Sequence, residues 1–106
     1  MFQLYHVADR LLPKVAMGTG REANWPQDYV HVANVELPDS SPESVYALTN
    51  NFEKQWTSEK GVFTVREGMR STAPGDVVIC PDGKVFRYLL HGYEELKPVP
   101  PKELLG

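Results

Sequence analysis

Hydrophobic and polar positions alternate along Phe2 to Val7, placing Phe2, Leu4 and His6 on one face of an extended chain and Gln3, Tyr5 and Val7 on the other. The same two-residue period runs more clearly through 29–37. There Tyr29, His31, Ala33, Val35 and Leu37 share a face, Val30, Val32, Asn34 and Glu36 take the other, and Pro38 ends the run. The period then changes. Ser40, Ser41, Pro42 and Glu43 carry helix-start chemistry: a serine N-cap, proline in the first turn, and Glu43 three residues after Ser40 as in a capping box. Val45, Leu48 and Phe52 follow at spacings of three and four, so 42–52 reads as a helix with one apolar stripe, and Trp56 extends that stripe or folds back as a plug.

Residues 70–93 read as a tight loop feeding a β-hairpin. Pro74-Gly75 suits a type II turn, 77–80 is an apolar strand, Pro81-Asp82-Gly83 reverses the chain, and 85–90 returns. A short strand at 62–65 and an extended piece at 92–96 complete the regular structure, whereas 9–17 reads as turn plus short strand and 18–28 as a loop. The pattern predicts a small α+β domain over 1–97, a mainly antiparallel sheet with one helix packed on one face. The opposite face is expected to stay bare. Residues 98–106, with Pro98, Pro100 and Pro101, form a proline-rich tail.

Composition narrows the function classes. The chain has 106 residues and net charge −3, divided as −1 over 1–38, −2 over 39–76 and zero over 77–106, so it lacks the basic arm of a typical nucleic-acid binder. Cys80 is the only cysteine, which excludes an internal disulfide and a cysteine-rich zinc site. The N-terminus lacks an export signal and no apolar run is long enough to span a membrane, so a cytoplasmic protein is expected.

The candidate chemistry is sparse. Gly18 and Gly20 lack the lysine and following serine or threonine of a phosphate-binding loop. His6, His31 and His91 lie on three separate elements without metal-ligand spacing, although His6 and His31 could meet if their strands pair. Cys80 reads as a packed apolar residue, and Ser71, His91 and Asp76 hold the ingredients of a hydrolase without a nucleophile elbow. Four polar side chains around the stiffened turn, Arg70, Ser71, Thr72 and Asp76, are the leading candidate cluster, with an alternative in which they serve only their own loop and Arg70 pairs with Glu67 or Asp76. Tyr5, Trp25, Trp56, Tyr88 and Tyr93 are more large rings than one small core readily hides. Trp25, Tyr88 and Tyr93 therefore join the candidates as aromatic contacts for a partner on the bare sheet face or its edge, Trp25 alternatively serving as a lid over that edge.

Ala47-Leu48-Thr49-Asn50, Trp56, Arg70-Ser71-Thr72 with Gly75-Asp76-Val77-Val78, Asp82-Gly83 and Gly92-Tyr93-Glu94-Glu95 form a pattern over roughly the latter two-thirds of the chain. It resembles small uncharacterised proteins of bacterial plasmids and phages, and is similar to the YodL-like modules of mobile-element proteins. Those relatives more often carry serine and valine at the positions of Ala73 and Pro74, and residues 1–28 have no counterpart. The resemblance implies a mobile-element setting and an accessory role without an established biochemical activity.

The expectation is thus a non-catalytic phage or plasmid protein in the cytoplasm of a bacterial host, without a cofactor or metal. Its expected partner is a host protein, conceivably of a defence system. A rival reading has nucleic acid stacking on the open sheet beside Arg66, Arg70, Lys84 and Arg87, and a third has a ligand or enzyme site around Arg70 and Asp76.

Overall fold

The computed structural model describes residues 1–18, 20–37, 41–50, 56, 60–65 and 70–98. Among these residues six strands form one antiparallel sheet: β1 (Phe2–Val7), β2 (Tyr29–Val35), β3 (Val62–Thr64), β4 (Val77–Ile79), β5 (Val85–Leu89) and β6 (Gly92–Leu96). Two α-helices accompany it among the described residues, α1 (Leu12–Ala16) and α2 (Pro42–Thr49). The strand order is β3-β2-β1-β4-β5-β6. β1 therefore lies inside, pairing through Gln3 with Asn34 on one side and with Ile79 on the other. The fold is the expected small α+β architecture. The tail from residue 99 onwards lies outside the described residues.

Helix α2 starts at Ser41, whose Oγ accepts the Glu43 N–H at 3.1 Å. The N-cap is thus Ser41 instead of Ser40, and Glu43 stands too early to close a capping box. Pro42 fits the first turn because its missing N–H would have no partner there. Val45 is fully buried and, with Trp56, packs on Phe2, Leu4, Val35, Val78 and Tyr88. The helix ends by Asn50; Phe52 lies outside the described residues.

Two differences from the sequence pattern change the surface. A β-bulge shifts the register of β2 so that Leu4 faces Ala33 while Tyr5 faces His31, leaving Val32 as the extra residue. One added residue inverts the alternation beyond it. Tyr29 consequently packs on one side of the sheet, whereas Val32, Ala33 and Val35 all join the α2 side. The expected continuous apolar face of 29–37 is split between both sides.

The second difference is helix α1, which forms with Pro13 in its first turn in place of turn plus strand. Val15 from α1, with Ala23 and Trp25 from the following loop, covers Tyr5, Val7, Tyr29, Val77 and Val85. The face opposite α2 is therefore covered over much of its area and does not offer the bare aromatic platform expected. The physical reason is alternation itself: β1 is apolar at Phe2 and Leu4 on one side and at Tyr5 and Val7 on the other, so both sides need cover.

Gly75 holds the turn before β4 at φ +101°, and its N–H donates to the Tyr88 carbonyl at 2.7 Å. A Cβ there would collide with Val15 Cγ1, whereas at Gly83, φ +90°, it would meet nothing within 4 Å. Gly83→Ala is expected to cost only the left-handed strain of about 1–2 kcal/mol. Gly75→Ala should cost clearly more, because the Val15 side chain must also give way. Urea unfolding of both variants checks the difference, and equal midpoints would contradict this packing.

Candidate functional site

The sequence cluster does assemble, but inwards. Asp76 follows the Pro74-Gly75 turn and is fully buried. Its Oδ1 accepts the Val7 N–H at 2.9 Å and Arg70 Nη2 at 2.7 Å. Its Oδ2 accepts the Ala73 N–H at 2.8 Å and Arg70 Nη1 at 2.6 Å. Four donors meet a carboxylate with roughly four acceptor positions. The Val7 bond explains the placement: the β1–β4 ladder ends at Tyr5–Val77, and the side chain of Asp76 supplies the acceptor that a continued β4 would have offered.

The rest of the loop joins other elements. Thr72 N–H donates to the Thr49 carbonyl at 3.0 Å, satisfying one of the orphan acceptors at the end of α2. Asn50 Nδ2 reaches the Thr72 carbonyl at 2.7 Å, and Trp56 Nε1 donates to the Arg70 carbonyl at 2.8 Å. Arg70 Nη1 also donates to the Ser71 carbonyl at 3.0 Å. Ser71 is half-buried, whereas Thr72 is fully buried and its Oγ1 lies 3.0 Å from His6 Nε2. The expected Arg70–Asp76 pair is present; Glu67, its alternative partner, lies outside the described residues.

Thr72, His6 and Asp76 resemble the parts of a nucleophilic triad, but the geometry does not serve that chemistry. The atom of His6 facing Thr72, Nε2, is also the one 3.8 Å from Asp76 Oδ2, so this carboxylate does not orient the far side of the ring. Thr72 and Asp76 are fully buried and His6 is 4% exposed, so among the described residues the three side chains face protein and not solvent. Burial lowers the His6 pKa to about 4, the Asp76 charge opposing this and Arg70 reinforcing it. Burial also pulls on the Arg70 guanidinium, but Asp76 outweighs it and holds Arg70 more firmly charged than usual.

The aromatic candidates separate. Tyr88 is buried, donates its hydroxyl to the Pro42 carbonyl at 2.7 Å, and so anchors α2 to β5. Trp25 is wedged edge-on between Tyr5 and Tyr29, with centroids 5.1 and 5.2 Å away, as a lid. Tyr93 alone of the three is exposed, at 38%, its ring edge-on to Phe86. His6 and His31 lie on paired strands but opposite sides: His31 stacks on Tyr5, whereas His6 packs near Trp56. Cys80 is buried, and burial pushes its thiol up to about 11, away from nucleophilic use. Of the four cations of the nucleic-acid reading, the three described ones do not form a surface stripe. Arg70 is spent on Asp76 and Arg87 is buried, Lys84 is exposed, and Arg66 lies outside the described residues.

Besides a hollow of about 280 Å³ between Pro42 and the β4–β5 turn, two larger concave regions lie beside β6 among the described residues. One, about 440 Å³, runs between α2 and the β5–β6 hairpin and is lined by Glu43, Tyr46, Tyr88, Leu90 and Tyr93. Leu90 is 74% exposed there. The other, about 560 Å³, lies across the sheet under the 21–27 loop, with Arg87 in its wall. Sequence reasoning missed Leu90, Glu43 and the buried setting of Arg87. The available signal was the odd arginine between Phe86 and Tyr88, which alternation places on the Val77 side of the sheet.

No helix among the described residues is long and apolar enough to cross a membrane, and no group of three or more metal-ligating side chains is found among them. The chain matches no family model, no curated protein and no solved structure.

Asp76→Asn keeps the shape but removes the charge and leaves Arg70 without its carboxylate. The expected loss is about 3–5 kcal/mol in urea unfolding, the cost of breaking a buried pair from one side. His6 supplies a pH test. Its folded pKa lies below the unfolded 6.5, so the unfolded chain binds a proton first as pH falls. Stability should decline from pH 6.5 towards 4 by on the order of 3 kcal/mol from this group, then level off. In His6→Gln the slope over that window should shrink; an unchanged slope would contradict the neutral buried ring.

Proposed function

We propose that this chain is a non-catalytic binding domain that takes an extended, basic segment of a partner protein along β6 and into the groove beside α2. The observation carrying this reading is the coincidence of a sheet edge that is unpaired among the described residues with exposed Leu90 and Tyr93 at the mouth of the 440 Å³ groove. A strand added at an edge gains main-chain hydrogen bonds, while alternate side chains seek pockets.

Charge selects the partner. Glu43 and Glu95 are exposed, and Tyr93 Oη lies 3.4 Å from Glu43 Oε1, so the rim is acidic. Two copies of β6 paired edge to edge would bring Glu94 and Glu95 against their counterparts, which like-charge repulsion disfavours. A segment carrying lysine or arginine between apolar residues relieves that repulsion instead. The resemblance to plasmid and phage proteins suggests where such a segment is found: on a protein of the bacterial host cytoplasm, with a component of a defence system as the most specific form of the idea.

Capture from bacterial lysate should retain one protein on the wild-type chain and lose it by about tenfold or more with Leu90→Asp or Tyr93→Ala, the size of a central contact. Amides of β6 should gain hydrogen-exchange protection in that complex. Capture that survives both substitutions, or retention of nucleic acid alone with steep salt dependence, would overturn the reading.

A further inference from the structure

Arg87 is 8% exposed, a burial that charged side chains tolerate only when their charge is met. Its Nη2 donates to the Ala23 carbonyl at 2.9 Å and its Nε to Tyr29 Oη at 3.3 Å, both neutral acceptors. Its carboxylate neighbour among the described residues, Glu94, stands 3.6 Å from Nη1. Glu94 is also shared, since both its oxygens accept Arg21 Nε at 3.1 Å. Arg87 is thus left with a fraction of one carboxylate at more than hydrogen-bond distance. Lys97 adds a further cation to the wall of the same cleft, on a chain whose net charge is −3. The cleft is a positive hollow in an acidic protein.

It also has the form of a small-molecule site. Its volume, about 560 Å³, lies within the range typical of ligand pockets, about 300–1,000 Å³. Asn24, Trp25 and Gln27 line it beside the cations. The loop carrying them is pinned by the Asp28 carboxylate on the Asn24 N–H at 2.8 Å and by the Asp28 N–H on the Asn24 carbonyl at 2.9 Å. Trp25 lines the same wall with its Nε1 buried and without a hydrogen-bond partner among the described residues, so its indole N–H reports on changes in this wall.

We propose that this cleft binds a small phosphate monoester, of nucleoside monophosphate size. A phosphomonoester near neutral pH carries close to two negative charges and three acceptor oxygens, matching the undercompensated charge of Arg87 and the ammonium of Lys97. Gln27 lines the cleft where the remainder of the ligand would lie. The site lies across the sheet from the α2 groove and is independent of the partner surface there.

Titrating the full chain with adenosine 5′-monophosphate, ribose 5-phosphate and adenosine, while following the Trp25 indole N–H resonance, tests this. Both phosphate esters should shift the resonance saturably and adenosine should not. Lys97→Gln, at an exposed position, should weaken the response severalfold, and Arg87→Lys by about tenfold, because an ammonium cannot reproduce the guanidinium fork. Silence with both esters at millimolar concentration, equal binding of adenosine, or a Lys97→Gln response matching wild type would each overturn the proposal. The lysine variant keeps the test decisive should Arg87→Lys fail to fold.

Discussion

The carboxylate of Asp76 is the point at which the 70–76 loop and the inner strand β1 are tied together. It extends the edge of β1 by capturing the Val7 N–H, fixes the Ala73 turn, and takes both terminal nitrogens of Arg70. Arg70 in turn presents its carbonyl to Trp56, and the Thr72 backbone caps the end of α2. A buried ion pair contributes little net stability over an apolar substitute, but it demands one geometry. Here that geometry joins the loop, the inner strand and the end of the helix.

This loop is committed to internal contacts. Side chains saturated by internal partners at zero exposure have neither the space nor the spare hydrogen-bonding capacity to hold a ligand, whatever their chemical types. Asp76 and Thr72 are in that condition. The proposed recognition surfaces are instead peripheral: the apolar side chains Leu90 and Tyr93 on one side of the β5–β6 hairpin, and an undercompensated Arg87 on the other.

Local chemistry made the main elements legible from sequence. Ser41-Pro42 starts a helix because both residues satisfy the first turn, and Pro74-Gly75 and Pro81-Asp82-Gly83 can do little but turn, so α2 and the β4–β5 hairpin were readable to within a few residues. The bulge at Val32 was not, because an extra residue is a property of the pairing with β1 and leaves no mark in the alternation of 29–37. The cover provided by α1 and Trp25 was hidden for a similar reason: glycines and prolines announce a loop between 18 and 28 but do not say which surface it crosses. The Arg70–Asp76 pair was visible as a possibility. Its structural use became clear only with Val7, sixty-nine positions before Asp76, placed beside the carboxylate.

Strand β6 shows how one short segment can serve two surfaces without confusing them. Tyr93 stands opposite Tyr88, and Glu95 opposite Phe86, towards the α2 groove; Glu94 stands opposite Arg87 and Leu96 opposite Val85, towards the cleft. Period-two alternation therefore separates the two glutamates that the sequence places side by side. Glu94 is drawn into the field of Arg21 and Arg87, and its charge is largely cancelled there. Glu95 is exposed and stands opposite Phe86, on the same side of the sheet as the groove that Glu43 lines. A chain with adjacent, chemically identical carboxylates can thus present an acidic edge on one side of its sheet and a cationic hollow on the other, with the thickness of a single strand between them.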